Sequence, residues 1–305
     1  MNIVDLHVHS NKSDGSLSPA QLVELAVQKG LSAFALTDHD TTEGLEEAID
    51  AAQKYNQSLD NNPEAGKPLE VIPGIEFSTE YMGKDIHIVG LFIEYDSDVF
   101  KKKIQEFVDA RILRNKKMCE GLASAGIHIT YEKLLEEFPC CIITRSHYAK
   151  YLLNHGYTTS MSEAFERYIG DHAPYFVPRE KITPQQAVKL INEVKGIAVL
   201  AHPILYRMSK ENLENLVKSL KEVGLAGIEA LYYTYTKGEE LQIRKLAQKY
   251  NLLISGGSDF HGTIKPKLEL ATGYGNLVIG EHILNELKKE RDRRYFSSLS
   301  KESSV

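Results

Sequence analysis

The sequence has few cysteines, no long apolar run and no excess of basic charge, and each absence excludes a class of protein. Its three cysteines, Cys119, Cys140 and Cys141, form no CxxC pair, which disfavours a disulfide framework or a thiolate zinc site. We expect them to be small buried hydrophobic residues. With 36 Lys and Arg against 42 Asp and Glu, the net charge of −6 argues against a protein that coats duplex DNA.

Membrane and secretion signals are also missing from the sequence. Apolar runs such as 196–200 and 252–254 are far shorter than the roughly 20 residues of a membrane-spanning helix. The N-terminal residues show no basic stretch followed by an apolar segment, so the cytoplasm is the expected location. What is present, in 305 residues, is ordinary globular composition, 42% hydrophobic and 26% charged. This length favours one large α/β domain, with or without a smaller insertion.

Short β-branched segments alternate with helical patterns at both ends of the sequence, which is typical of βα units around a parallel sheet or barrel. The predicted strands cover 2–7, 33–37, 70–77, 85–93, 197–201, 226–231 and 252–256. Helices are predicted over 18–29, 43–57, 183–195, 210–223, 238–250 and 281–290. Seven strands favour a barrel over a small open sheet.

Residues 97–178 interrupt this alternation. The pattern there predicts consecutive helices near 98–124, 131–138, 145–155 and 160–169, with no strand between them. We therefore predict a barrel domain, a helical insertion that forms a cap, and a polar C-terminal tail. Their boundaries are 1–96 and 179–290 for the barrel, 97–178 for the insertion and 291–305 for the tail.

Histidines and carboxylates recur at the predicted strand ends. The first strand carries Asp5, His7 and His9 on one face, because side chains alternate along a strand, and two imidazoles so placed can chelate one ion. The corresponding residues near the other strands are Asp14, His39, Glu76, His87, His202, Asp259 and His261. In a parallel barrel all strand C-termini open on one face, where active sites are built.

Burying so many ionisable groups together is costly unless cations compensate them, so a metal centre is predicted at this face. Imidazole and carboxylate ligands without thiolate suit Mn, Zn or Fe and do not select among them. The order HxH, D, TDHD, GxE, H, AHP and SDxHG resembles the PHP (polymerase and histidinol phosphatase) family of metal-dependent phosphoesterases. The resemblance covers the chain from Asp5 to His261 and is interrupted by the insertion.

This resemblance implies a distorted (β/α)7 barrel that holds two or three divalent metal ions. It implies one metal bound by His7, His9, Glu76 and Asp259, a second by Glu76, His87 and His202, and a third by Asp14, His39 and His261. Glu76 would bridge the first two metals. Two metals about 3.5–4 Å apart turn a bridging water into hydroxide, which attacks phosphorus in line with the leaving oxygen.

Within the family, the sequence is most similar to the stand-alone branch of nucleotide phosphoesterases, which carry a helical insertion. Those enzymes hydrolyse nucleoside 3′,5′-bisphosphates and related nucleotides, and some trim 5′-phosphorylated RNA. Arg145 and His147 resemble the R-x-H element of that branch, which implies an arginine on the substrate phosphate. His147 is the candidate for protonating the leaving alkoxide. Asp171 and His172 stand where the branch often supplies a lysine. The resemblance therefore leaves open which residues bind the phosphate groups of the substrate.

For other polar and aromatic residues, a structural role is at least as common as a functional one. Tyr232, Tyr233 and Tyr235 follow the sixth strand, where a ring could stack on a base, although packing is the more common use of tyrosine. Asp38 and Asp40 flank His39 and either orient imidazoles or serve in a turn or helix cap. The basic residues within 101–103 and 111–117 are expected on solvated helix faces rather than in RNA contacts.

Two alternatives to a nucleotide phosphoesterase stay open. A histidinol-phosphatase-like phosphomonoesterase uses a similar barrel and metal set, but the insertion with Arg145 and His147 argues against it. A catalytically silent PHP module that binds nucleic acid or protein would be marked by lost ligands, and this sequence retains all nine. The expected substrate is therefore a small phosphate ester, either a nucleotide or a short single-stranded RNA.

Overall fold

A computed structural model of the chain describes residues 2–61, 66–139, 143–170, 172–177 and 182–302. Seven strands form one sheet in the order β1 to β7. They span Val4–Val8 (β1), Ala33–Leu36 (β2), Glu70–Tyr81 (β3), Lys84–Leu91 (β4), Ile197–Leu200 (β5), Gly227–Tyr232 (β6) and Leu253–Gly257 (β7). A parallel bridge between Val8 and Phe260 nearly closes the sheet into the predicted barrel.

Strand β4 runs antiparallel to both of its neighbours, whereas the other neighbouring strands are parallel. The expectation of a parallel barrel is therefore wrong at this strand. Met82 and Gly83 alone connect β3 to β4, and a link of two residues can join only antiparallel strands. The reversal brings the first half of β4, which contains His87, to the mouth where the parallel strands end.

Ten α-helices lie within the described residues. They span Pro19–Gln28 (α1), Leu45–Asn61 (α2), Asp98–Ser124 (α3), Tyr131–Glu137 (α4), Arg145–Asn154 (α5), Met161–Ala164 (α6), Pro184–Glu193 (α7), Lys210–Glu222 (α8), Lys237–Lys249 (α9) and Glu281–Glu302 (α10). A π-helical segment, Phe165–Ile169, continues α6. Reciprocal side-chain capping at Ser18, Thr183 and Thr236 explains why α1, α7 and α9 begin where they do. Among the described helices, none has the length and apolar character needed to cross a bilayer.

The last helix is longer than the sequence predicts. The helix was expected to end near residue 290, but α10 continues to Glu302. The Glu290 carboxylate pairs with Arg293 and Arg294 at 2.8 Å, one helical turn away. Arg294 also donates to Asn192 Oδ1 at 2.9 Å. These contacts stabilise α10 beyond residue 290 and hold it against the end of α7. The predicted end near residue 290 is therefore wrong.

The hydrophobic core has separate parts in the barrel and in the insertion. One cluster, which includes Phe34, Phe77 and Val188, fills the space between barrel and helices. Another cluster lies inside the insertion and contains Leu122, Tyr148 and Cys119. Cys119 is thus buried as expected, whereas the predictions for Cys140 and Cys141 lie outside the described residues.

Helix α3 belongs to both cores. Phe100 and Ile104 in its first half pack in the barrel cluster, and Met118 and Leu122 in its second half pack in the insertion cluster. Its middle therefore passes over the mouth of the barrel.

Candidate metal centre and catalytic site

Glu76 lies at the centre of a cluster of imidazoles at the mouth of the barrel, and its side chain is buried. Five imidazole nitrogens approach its carboxylate within 3.2 Å, those of His7, His9 and His39 at Oε2 and those of His87 and His202 at Oε1. These histidines come from β1, from β4 and from the segments that follow β1, β2 and β5. One carboxylate therefore joins side chains from five parts of the barrel.

Two further carboxylates extend the cluster. Asp14 Oδ1 lies 3.2 Å from His261 Nε2 and 3.8 Å from His9 Nδ1. Asp259 Oδ1 lies 3.3 Å from His9 Nε2 and 3.6 Å from His7 Nε2. All nine side chains predicted as metal ligands are thus gathered at one mouth, each close to another member of the set. Their role as ligands stays a prediction.

Seven of the nine candidate ligands fall into three overlapping compact groups, and within each group the ligand atoms lie within 4.8 Å of one another. The groups are His9, Asp14, His39 and His261; His7, His9 and Glu76; and His39, Glu76 and His87. They differ from the expected sets in four respects. His9 joins the group of Asp14, and His39 joins that of Glu76 as well as that of Asp14. His202 and Asp259 approach other members of the cluster without joining a compact group.

The donor set suits divalent metal ions. Five of its buried polar atoms make no hydrogen bond with any described residue, namely His9 Nδ1, Asp14 Oδ1, His39 Nδ1, Glu76 Oε2 and His202 Nδ1. Buried polar atoms are rarely left in this state unless an ion or water satisfies them. Burial would raise the pKa of Glu76, but His7, His39 and His87 hold that pKa well below its usual range. The carboxylate is therefore charged, as a ligand must be.

Glu229 holds two of the candidate ligands, His7 and His202, in position. The sequence motifs do not identify this residue. Its Oε1 lies 2.9 Å from His7 Nδ1, and its Oε2 accepts a hydrogen bond of 2.7 Å from the backbone N–H of His202. A carboxylate on Nδ1 fixes the ring so that Nε2 faces the cluster. The detectable signal was a single acidic residue inside the apolar strand β6.

Replacing Glu229 by glutamine should weaken metal binding by about 10- to 100-fold, because an amide cannot accept hydrogen bonds at both of its ends. The measurement is Mn²⁺ affinity by equilibrium dialysis, which requires no substrate. Glu211→Gln, an exposed residue in the first turn of α8, is the matched control. Equal affinities for the wild type and the Glu229 variant would contradict the supporting role.

Two aspartates hold the loops that carry the cluster. Asp5 accepts hydrogen bonds from the backbone N–H groups of Ser258 and Ala271 at 2.9 and 2.8 Å, and burial raises its pKa to about 6. Asp38 accepts from the hydroxyls of Ser10 and Ser13, both at 2.6 Å. These contacts of Asp38 with the segment after β1 match the predicted turn role rather than orientation of an imidazole.

A glycine allows the close approach of β7 to β1 at this point. A Cβ atom at Gly257 would lie 2.2 Å from the Cβ of His7, a distance that two such atoms cannot adopt. The absence of a side chain at Gly257 therefore helps to set the position of His7.

A cavity lies between this cluster and the insertion. Its lining includes Asp14, His39 and His87 from the barrel and Arg111, Arg114 and Arg145 from the insertion. We call the side formed by these three arginines the cap wall. Arg111 and Arg114 are only 3% and 7% exposed, so the expectation of a solvated face is wrong for these two residues. Lys116 and Lys117, on the other side of α3, are exposed as expected.

Arg111 ties the cap to the loop that carries His39. Its guanidinium pairs with Asp40, the residue after His39, and donates to Ser78 Oγ at 3.1 Å. Asp40 Oδ1 accepts the backbone N–H of Ser78 at 3.0 Å. Asp40 thus links Arg111 of the insertion to Ser78 of β3, a use that is not among the two predicted from the sequence.

Arg145 begins helix α5 at the edge of the cavity. Its guanidinium pairs with Asp85 and lies 5.4 Å from the centre of the Phe176 ring. The ion pair and the aromatic ring hold the planar fork of donors beside His87, the candidate metal ligand on β4.

His147 is placed differently from Arg145. Its Nδ1 accepts the backbone N–H of Thr144 at 2.9 Å and so caps the N-terminus of α5. Burial lowers the pKa of His147 to about 4, and the side chain is not among those that line the cavity. These observations favour a structural role over the predicted protonation of the leaving group.

The two remaining substrate-binding candidates also lie outside the cavity lining. His172 is exposed in a turn, and its neighbour Asp171 lies outside the described residues. Tyr232 is buried, and its hydroxyl donates to Asp259 Oδ2 at 2.7 Å. The geometry thus favours orientation of Asp259 by Tyr232 rather than stacking of its ring on a base.

Known proteins resemble this chain over nearly its whole length. A family model described as the PHP domain matches residues 5–290. A 5′-3′ exoribonuclease of Haemophilus influenzae is 36% identical over 84% of this chain and 89% of its own. A 3′,5′-nucleoside bisphosphate phosphatase of Chromobacterium violaceum is 30% identical over 85% of this chain and 87% of its own.

A solved structure shares the fold as well. It is described as an amidohydrolase from Chromobacterium violaceum with bound sulfate, and it is 28% identical with a TM-score of 0.79 over 94% of this chain and 96% of its own. The barrel, the histidine–carboxylate cluster and these matches agree. The chain belongs to the PHP family of metal-dependent phosphoesterases and is a hydrolase of phosphate esters.

Proposed function

We propose that the protein hydrolyses phosphate esters of nucleotides, with a nucleoside 3′,5′-bisphosphate, a 5′-nucleotide or a short 5′-phosphorylated oligonucleotide as substrate. The observation that carries the proposal is the cavity in which the cap wall faces the histidine–carboxylate cluster. Guanidinium groups match the oxygens of a phosphate, which can enter between the two sides. The activities named for the Haemophilus and Chromobacterium relatives support nucleotides or RNA as the substrate class.

The proposed cofactor is a set of two or three divalent ions, Mn, Zn or Fe. The proposed ligands are His7, His9, Asp14, His39, Glu76, His87, His202, Asp259 and His261. When bound, such ions activate water for attack and neutralise charge on the phosphate. Glu76 contributes to catalysis by holding the imidazoles of five strands and loops around one point.

The protein's own contribution beyond the ligands is the positioning of the phosphate. Arg145 is the candidate for contacting its non-bridging oxygens, where charge must be stabilised as the transition state forms. Arg111 acts as a positioning residue, because its contacts with Asp40 fix the loop of His39. Since His147 caps its own helix, we assign the leaving-group proton to no side chain.

We also propose that residues 97–178 act as a cap domain on a barrel formed by 1–96 and 179–290, with 291–305, which includes the second half of α10, as a polar C-terminal segment. The separate hydrophobic cluster of the insertion supports this division. Helix α3 would then couple the cap to the barrel, because it packs in both.

The test is turnover of a substrate panel in the presence of Mn²⁺. The panel contains adenosine 3′,5′-bisphosphate, AMP, a short 5′-phosphorylated RNA and histidinol phosphate, and released phosphate or nucleotide is measured. We expect preferential turnover of the bisphosphate or the RNA, and loss of turnover after chelation of the metal. Turnover of histidinol phosphate alone, or of no member of the panel, would overturn the nucleotide proposal.

A further inference from the structure

A row of tyrosines leads from the metal-ligand candidate Asp259 to the protein surface. Tyr232 donates to Asp259 Oδ2, and its ring centre lies 4.6 Å from that of Tyr233. The Tyr233 ring lies 5.3 Å from that of Tyr274, with the two planes nearly perpendicular. Exposure rises along the row, from 4% for Tyr232 to 59% for Tyr274. We call Tyr233 and Tyr274 the aromatic platform.

The loop that carries Tyr274 packs against Tyr233 and fixes the platform. Tyr274 stands between Gly273 and Gly275, both of which have positive φ values, 59° and 87°. A Cβ atom at Gly273 would lie 2.5 Å from the Cβ of Tyr233, so the loop packs directly on that residue. Asn276 donates to the backbone carbonyl of Tyr233 at 2.9 Å. An exposed aromatic ring is thus displayed on a turn that is anchored to the rim of the site.

A positive charge lies beside the platform. The Lys265 ammonium pairs with the Asp259 carboxylate and lies 6.0 Å from the centre of the Tyr233 ring. Aromatic rings next to a cation form the combination that binds single-stranded nucleic acid, because bases stack on the rings while the backbone phosphates meet the charge. An apolar peptide would not use the lysine.

We propose that the aromatic platform, with Lys265, binds a nucleobase beyond the nucleotide whose phosphate is cleaved, so that the preferred substrate is a single-stranded oligonucleotide rather than a mononucleotide. This inference rests on the proposed function and narrows its substrate class. Tyr232 and Lys265 both contact Asp259, a candidate metal ligand, so the platform lies beside the metal centre.

The kinetic test compares a 5′-phosphorylated RNA pentamer with adenosine 3′,5′-bisphosphate. We expect Tyr274→Ala to lower the ratio of kcat/KM for the pentamer to kcat/KM for the bisphosphate by roughly 5- to 150-fold, mainly through KM. Tyr274→Phe keeps the ring and should restore the ratio. Val278→Ala removes an exposed apolar side chain of the same segment and should leave the ratio as in the wild type.

A binding test does not depend on turnover. In the presence of a chelator, a pentamer that contains 2-aminopurine should change its fluorescence on the wild-type protein and bind at least fivefold more weakly to Tyr274→Ala. If the wild type hydrolyses the pentamer and Tyr274→Ala leaves the kcat/KM ratio unchanged, the platform does not bind a base. The proposed function would still stand in that case. If the panel is not hydrolysed at all, the proposed function fails, and the binding test still decides for or against the platform. Displacement by an aromatic peptide but not by unlabelled RNA would also overturn it.

Discussion

Glu76→Gln is expected to abolish metal binding in both compact groups that contain this residue and to lower kcat/KM by about 10³-fold or more. Glutamine preserves the size of the side chain but removes its negative charge. It also places an N–H donor against imidazole nitrogens that now approach carboxylate oxygens within 3.2 Å. Because the two groups share this one carboxylate, they should lose metal together.

The measurement combines metal content after dialysis, by inductively coupled plasma mass spectrometry, with steady-state kinetics. Glu80→Gln is the matched control, since Glu80 lies on the same strand, β3, four residues further along. It should keep both metal and activity. Circular dichroism of both variants checks that the barrel is folded. Full metal stoichiometry and full activity in the Glu76 variant would remove this residue from the centre.

Much of the site could be predicted because each candidate ligand sits beside a short apolar segment that is readable on its own. His7, His39 and His202, for example, lie at or just beyond the C-terminal ends of β1, β2 and β5, and parallel strands bring such ends together. The position of His87 needed one more step. Only the two-residue link before β4 reveals that this strand runs in the opposite direction and brings its beginning to the mouth.

The error at Arg111 and Arg114 has a different origin. Charge alone predicts that both side chains are exposed to solvent. The spacing of Ile104, Arg111, Met118 and Leu122, however, places these four residues on one face of α3. That face is buried against the barrel at one end and within the insertion at the other. Between these ends it faces the cavity, where charged side chains replace apolar ones. Helical periodicity, applied without regard to residue type, would have found this position.

The roles of Glu229 and Tyr232 could not be predicted from the sequence. Each lies on β6 and contacts a residue on another strand or loop, His7 or Asp259, which is remote in the sequence. Pairings of this kind depend on the register between strands. Neither residue stands in a recognisable motif, so their roles emerge only from the three-dimensional arrangement.

Arg145→Ala is expected to lower kcat/KM by about 10²- to 10³-fold, the usual cost of removing a donor that stabilises transition-state charge. Metal content should stay at the wild-type level, in contrast to Glu76→Gln, because Arg145 lies on the cap wall and not among the candidate ligands. Arg145→Lys should fall between the two, since a lysine keeps the charge but loses the planar fork. Kinetics and metal analysis on the same preparations check all three statements.

The ion pair with Asp85 provides the decisive comparison for Arg145. If the arginine only neutralised Asp85, then Asp85→Asn would remove the need for it, and Arg145→Ala in that background would cost no activity. If the arginine binds the phosphate, the loss on Arg145→Ala must persist when Asp85 is already asparagine. We expect persistence, because both residues line the cavity and the phosphate would take the place of the carboxylate at the guanidinium. A double variant as active as Asp85→Asn alone would instead reduce Arg145 to a structural partner of β4.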